Sequence, residues 1–406
     1  MKSETITGET LRERSTRIEK YEICIVGGGL IGLTATLAMA QKGFSVALIE
    51  GGSLACGDNL NKGVNRVYAL NAMSQALLER LGVWQCVQPS TLSPYRNMEI
   101  WDVGGEGRID FDSRMILQKE LGYIVEENGL KSALINALAN YPNVHLFPHQ
   151  KVTRIVSEQK TITLRSDDSI WTASVLMVAD GAQSSCRELL KVPITQWSYH
   201  QTAIVASVEV EQQHQQTAYQ IFHPNEVLAF LPLSQSSHCS IVWSTSPARA
   251  QQLMDCSEDT FNTSLKQTFQ SRLGNVQVIG KRVCFPLRMR HVQQYSDASW
   301  LLLGDAAHTL HPFVGWGLNL GFSDLQAWLE CLDRVGGNLR SKERALAAYQ
   351  RQRKYEVWQV IGLLEGLKTL FFNRLPSVPR LRGWGLNTCN RFLPLKQALI
   401  AYATKI

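Results

Sequence analysis

Between Leu301 and Gly321 the chain reads LLLGDAAHTLHPFVGWGLNLG. Asp305, His308 and His311 are residue types that bind metals or move protons. Gly315, Gly317 and Gly321 are the type that lets a backbone approach something bulky. Three chemistries fit such a run: a metal site, an acid–base pair, or a backbone cradle for a flat, charged group. A metal needs a completing set of Cys, His or carboxylate ligands, and none stands near the two histidines, so no metal is expected. The histidines read as structural or pocket-lining residues.

A second glycine cluster follows a different element. YEICIVGGGLIGLTATLAMAQKGFSVALIE (21–50) reads as a strand over 21–26, a helix over 30–41 and a strand over 44–49, which is one βαβ unit. Gly27, Gly29 and Gly32 form GxGxxG at the first strand–helix junction. In such a turn the first glycine permits the bend, the second admits a pyrophosphate, and the third lets helix pack on strand. The helix N-terminus faces the phosphate charge with its dipole. Glu50 follows Gly32 by 18 residues, at the end of the next strand, where a carboxylate accepts from a ribose hydroxyl. Dinucleotide binding is the expectation, and an ordinary glycine turn leaves Glu50 unaccounted for.

Two more buried strands end in paired glycine and aspartate. VLMVADGAQSSCRELL (175–190) ends its strand in Asp180–Gly181, with Ser184 and Arg187 following, and LLLGDAAH ends in Gly304–Asp305. In this order the three elements resemble the flavin-dependent aromatic hydroxylases, the group A flavin monooxygenases with the p-hydroxybenzoate hydroxylase fold. The resemblance covers nearly the whole chain beyond its first residues. It narrows to the ubiquinone-biosynthesis hydroxylases on LGYIVE (121–126), on Tyr199, Gln201, His214 and Phe222, on LAFLPL (228–233), on VW (242–243), on HTLHPFVGWGLNLGFSD, and on the basic segment near LPLKQALIAYA (393–403).

The resemblance implies roles residue by residue. Gly27, Gly29, Gly32 and Glu50 would hold the ADP half of FAD, Arg66 would contact the cofactor, and Val152 would offer backbone to the adenine end. Asp180 would serve FAD and the passing nicotinamide, and Asp305 the ribityl chain. Gly317, Leu318 and Asn319 would turn backbone N–H groups to the flavin pyrimidine edge. Pro312 would lie at the reactive face beside the substrate, as the position closest to catalysis. FAD would be resident and NAD(P)H transient, because the chain has one GxGxxG.

The implied activity is hydroxylation of the aromatic ring of a polyprenylated ubiquinone precursor with NAD(P)H and O2. Alternatives are the same chemistry on a soluble phenol, a non-catalytic FAD-binding subunit of a quinone-biosynthesis complex, and a plain NAD-dependent dehydrogenase. Three positions depart from the family pattern. Gly315–Trp316–Gly317 stands where G-Q-G is usual, Glu226–Val227 where Gly-Pro is usual, and Glu127 precedes Asn128. These bear on substrate identity more than on FAD binding.

The elements that must position these residues set the fold class: α/β plus β, with a Rossmann-type FAD-binding domain, a β-sheet substrate domain and a helical C-terminal segment. The FAD-binding domain is expected over 20–93, 121–195 and 296–340, and the substrate domain over 94–120 and 196–295. Residues 1–19 form a polar, disordered lead-in without the apolar region of a signal peptide, and 341–406 the C-terminal segment. Beyond residue 190 the segments 202–211, 226–233 and 239–246 are β-rich without intervening helices, and 259–273 is helical.

At 406 residues, 45% hydrophobic and 19% charged, the chain has the length for more than one lobe and the composition of a globular protein. Nine scattered cysteines without a CxxC fit reduced thiols in a cytoplasmic protein. Residues 351–406 hold ten Lys or Arg against two Glu, a balance of +8 where the whole chain carries +6. That tail reads equally as a solvated helical face packed on the body, or as peripheral contact with the inner face of an anionic membrane or with an acidic partner. Nucleic acid is not expected as a partner.

Overall fold

The computed structural model describes residues 18–55, 66–158, 160–310, 315–373, 375 and 377–403. The expected lead-in therefore lies outside the described residues, apart from its end. Ile18 and Glu19 belong to the first strand, Ile18–Val26, where they pair with Ile170 and Trp171. The strand starts earlier than the glycine motif alone suggests because Ile170–Val178 offers a partner of equal length.

Four strands with apolar runs form the parallel core of the first sheet. Trp300–Leu302, Ile170–Val178, Ile18–Val26 and Val46–Ile49 lie side by side in that order, continued by Val144–Phe147. Unbroken burial of Val46–Ile49 and of the second half of Ile18–Val26 is what a sheet covered on both faces requires. The helix Leu30–Gln41 packs against both Glu127–Leu138 and Trp316–Arg334.

The second sheet runs His308–Thr309, Val276–Val292, Ile194–Val210, His238–Thr245, Val227–Pro232, Thr217–Phe222, Asn97–Asp102, Gly107–Asp112. It is antiparallel except between Thr217–Phe222 and Asn97–Asp102. The β-rich segments at 202–211, 226–233 and 239–246 lie in strands with no helix between them, and the expected helix at 259–273 is present as Glu258–Thr268; the helix Pro247–Asp255 before it is not among the expected elements. Two helices, Pro247–Asp255 and Glu258–Thr268, stand between strands of this sheet. Ser246 caps the first by accepting from Arg249 N, with Pro247 beginning it, a start signal readable in the sequence. Leu253, Phe261 and Leu265 are buried with Ile204, Ile221, Phe230 and Trp243 of the sheet.

The tail forms helices Lys342–Phe371, Ser377–Arg391 and Leu393–Ala403. Ser377–Arg391 covers Gly107–Asp112, the last strand of the sheet path, whose outward amides lack a strand partner. Asn387 Oδ1 accepts from Arg108 N at 3.0 Å, and Asn390 Oδ1 from Asp110 N at 3.1 Å. Gly383 makes the approach possible, since a Cβ there would stand 1.6 Å from Gly105 O. Beside it Arg382 holds Asp102 with two bonds, of 2.6 and 2.7 Å, and donates from Nη1 to Leu370 O and Phe371 O. Both partners are buried. Packing on the body is therefore built into the tail.

A buried pair that loses one member strands the other charge. Asp102→Ala is expected to lower the stability of the protein by about 3–5 kcal/mol in urea denaturation. A change below about 1 kcal/mol, the ordinary worth of a surface pair, contradicts the clamp.

Candidate cofactor site

The parallel register brings three motifs together. Ile18–Val26, Ile170–Val178 and Trp300–Leu302 all point the same way, so GxGxxG, Asp180–Gly181 and Gly304–Asp305 emerge side by side at the carboxyl edge. Backbone bonds continue the alignment past the strands, from Ala179 N to Val26 O at 2.8 Å and from Leu303 N to Val178 O at 2.9 Å. In open α/β sheets this edge is where ligands bind.

The three motif glycines do different jobs. Gly27 has φ +113°, and a Cβ there would meet Ala179 O at 2.2 Å. At Gly32 a Cβ would meet Gly27 O at 1.8 Å. Protein contacts thus require both. A Cβ on Gly29 would meet nothing within 4 Å. Its bare side faces a cavity of about 440 Å³ lined also by Gly27, Glu50, Gln150, Val152, Asp180 and Ser185. This open cradle fits a pyrophosphate against the start of the helix Leu30–Gln41.

Two carboxylates frame the cavity. Glu50 accepts from Gly28 N and, at 2.7 Å, from Gly52 N, so local backbone fixes it at the strand end. Asp180 Oδ2 accepts from Cys186 N at 3.0 Å while its Oδ1 is buried without a partner. That orphaned acceptor faces the need for a donor hydroxyl or amide. Val152 is buried and lines the same cavity.

A second cluster gathers around Asp305. Its side chain is exposed, yet protein closes around it, and that desolvation raises its carboxyl above the ordinary value. Asp324 adds to the rise, while His308, Arg66 and Arg290 oppose it. Arg66 is thereby placed in the Asp305 neighbourhood. Gly315, at φ +65°, caps the helix Trp316–Arg334, whose first turn carries Gly317, Leu318 and Asn319. Gly317, like Gly29, has nothing within 4 Å of a built Cβ. Asn319 does more than present an amide. Its side chain accepts from Asn71 N at 3.0 Å and Ser74 Oγ at 2.7 Å, and donates to Ala69 O and Gly315 O. Pro312 and His311 lie outside the described residues.

Several residues acquire uses that the sequence does not disclose. Ser184 caps the short helix Ser185–Leu189, and Arg187 reaches Ala306 O at 2.9 Å and Ala182 O at 3.2 Å. Arg187 thus ties two of the three motifs together. His308 is buried against Asp324, and His214 is spent on Leu233 O and Gln235 O. Glu226 accepts from Trp243 Nε1 at 2.8 Å, Glu127 from Tyr68 Oη at 3.3 Å, and the Trp316 ring meets Tyr402 edge-on. Each of the three departures thus has a local partner. Among the described residues no group of three or more His, Cys, Asp or Glu is placed to hold a metal.

Gly29→Ala is expected to fold normally and lose FAD affinity by at least about tenfold, whereas Gly32→Ala disturbs the fold itself. Thermal melting with flavin titration separates the two, and normal FAD binding by Gly29→Ala contradicts the cradle. Asp305 carries a second prediction. Its folded pKa is raised, so its ionised form destabilises the protein above that pKa, and the penalty disappears as pH falls below the unfolded value near 4. Asp305→Asn should therefore raise the melting temperature of FAD-free protein at pH 7 while weakening FAD binding. Equal melting temperatures in both proteins contradict the assigned environment.

Comparison with known proteins agrees with this geometry. Residues 20–363 match the family described as FAD binding domain. The chain is 34% identical over 390 residues to the 3-demethoxyubiquinol 3-hydroxylase of Escherichia coli (strain K12), covering 94% of this chain and 98% of that protein. It is 28% identical to the human mitochondrial ubiquinone biosynthesis monooxygenase COQ6, covering 95% of this chain and 92% of that one. In fold it resembles the p-nitrophenol 4-monooxygenase PnpA of Pseudomonas putida DLL-E4, with a TM-score of 0.77, 18% identity, and coverage of 95% and 98%. The chain belongs to the FAD-binding-domain family of flavoprotein monooxygenases, alongside the ubiquinone-biosynthesis hydroxylases.

Proposed function

We propose that this protein is an FAD-dependent monooxygenase that hydroxylates the aromatic ring of a polyprenylated ubiquinone precursor with NAD(P)H and O2. The observation that carries the reading is the convergence of GxGxxG, Asp180–Gly181 and Gly304–Asp305 on one edge, in a chain similar over nearly its full length to a ubiquinol ring hydroxylase. FAD, when bound, supplies the redox and oxygen chemistry. The chain supplies position and charge. Gly29 and the helix behind it would receive the pyrophosphate, and Glu50 and Asp305 would accept from ribose and ribityl hydroxyls. Arg66, in the neighbourhood of Asp305, would contact the cofactor. Backbone donors at Gly317, Leu318 and Asn319, at a helix N-terminus, favour negative charge on the ring edge. Asp180 would serve both FAD and the nicotinamide that visits.

The C-terminal segment supports a lipid-bearing substrate. Ser377–Arg391 turns Arg382 and Gly383 inward, and leaves Arg380, Leu381, Trp384 and Arg391 exposed at helical spacing. Leu381 is 63% and Trp384 67% exposed, and Leu375, Phe392 and Leu393 extend the apolar surface. An apolar face edged by arginines is the form of a peripheral contact with an anionic bilayer. No helix among the described residues is long and apolar enough to cross one.

The direct test is to supply purified protein with a polyprenyl phenol and with a soluble phenol, following NAD(P)H oxidation and hydroxylated product. Product from the polyprenyl substrate alone is the expected outcome. Turnover of the soluble phenol alone moves the assignment to that substrate, and FAD binding without any turnover supports a non-catalytic subunit. In cosedimentation with anionic phospholipid vesicles, the double variant Leu381→Ser, Trp384→Ser should bind about tenfold more weakly. Unchanged sedimentation excludes this face as the membrane contact.

A further inference from the structure

Asp324 ends the stretch that resembles the ubiquinone hydroxylases, yet it lies in the body of the helix Trp316–Arg334, away from the open first turn. Its side chain is wholly buried. Oδ2 accepts from Gly304 N at 2.8 Å and from His308 Nε2 at 2.7 Å, and Oδ1 accepts from Arg353 Nε at 2.7 Å. Arg353, on the helix Lys342–Phe371, is buried too, and it also reaches Ser323 Oγ and Glu356. A packed apolar residue serves bare stability as well as a buried ion pair does, so a charge kept here calls for another reason.

The bonds supply that reason. Gly304 and His308 bracket Asp305, so one carboxylate fastens the turn on both sides of the residue expected to meet the cofactor. Gly304 sits at φ +56°, a conformation that glycine adopts readily and that shapes this turn. On its other side the turn abuts two more parts of the site. A Cβ on Gly321 would stand 2.9 Å from Ile31, in the GxGxxG helix, and 3.1 Å from Gly304 Cα. Burial would push the Asp324 carboxyl up. The charges of His308 and Arg353, with the His308 and Gly304 bonds, outweigh it and hold the group below its ordinary value.

We infer that Asp324 is a positioning residue of the cofactor site, aiming Asp305 through Gly304 and His308 with Arg353 as its counter-charge. The inference rests on the FAD reading and fails separately from it. FAD affinity is to be measured by flavin fluorescence in a double-mutant cycle over wild type, Asp305→Ala, Asp324→Asn and the double variant. Asp324→Asn keeps the shape and loses the charge. Each single variant should bind FAD about tenfold more weakly, the worth of one bond to a charged group, and the double variant no more weakly than either. Multiplying losses, or unchanged affinity in Asp324→Asn, overturn the inference. Asp102→Asn is the control for burial alone, since it weakens the Arg382 pair far from the motifs; it should lower the melting temperature without changing FAD affinity. Equal FAD loss in that variant reduces Asp324 to a stability role and also overturns the inference. If Asp324→Asn does not fold, His308→Gln takes its place in the same cycle. Wild-type protein that binds no FAD would sink the cofactor reading itself.

Discussion

Everything at the candidate site depends on the parallel pairing of Ile18–Val26 with Ile170–Val178 and of that strand with Trp300–Leu302. Parallel strands that lie adjacent must end on the same edge. Segments separated by more than a hundred residues therefore deliver their glycine and aspartate turns to one place. The pairing is sustained by apolar burial: Ile23, Cys24, Ile25, Leu176, Met177, Leu301 and Leu302 are all fully buried. Each residue carries apolar surface out of water, and the sheet can move only by giving that up. A rigid edge of this kind suits a cofactor that must be held across several turns at once.

Polar contacts then refine what the sheet places. Arg187 links the turns after two of the strands through Ala182 O and Ala306 O, and Asn319 links the helix Trp316–Arg334 to the strand Val67–Leu70 and the helix behind it. Asp324 and Arg353 bring the long C-terminal helix Lys342–Phe371 into the same assembly. Charge deep in the protein appears where a turn has to be held, and the tail's other buried pair, Arg382 with Asp102, holds a helix against a sheet edge. The C-terminal region is thus one structure with two faces, one bonded to the body and one open.

The legible parts of the sequence were those where local chemistry forces geometry. Gly32 is dictated by its contact with Gly27 O inside one βαβ unit, so that spacing speaks for itself, whereas the contact that dictates Gly27 is with Ala179 of a distant strand end. The helix from Leu30 to Gln41 reads directly from its flanking glycines. What the sequence hides is long-range partnership. Nothing near His308 announces Asp324 or Arg353, and nothing near Glu226 announces Trp243, because those bonds exist only once helices and strands dock. Ser184 and Arg187 follow Asp180–Gly181 in the sequence without a visible partner, and folding turns them into a cap and a clamp. The helix Pro247–Asp255 is obscured in a β-rich stretch although Ser246–Pro247 marks its start. The departure at Trp316 likewise finds its neighbour, Tyr402, at the far end of the chain.

The central claim is that one FAD spans all three strand-end turns and the first turn of the helix Trp316–Arg334. Amide hydrogen exchange with and without FAD measures this directly. The account predicts that FAD slows exchange together at Gly29–Ile31, at Gly181–Ala182, at Asp305–Ala306 and at Gly317–Asn319. Protection confined to the GxGxxG turn, with the Asp305 and Gly317 regions unchanged, would contradict it.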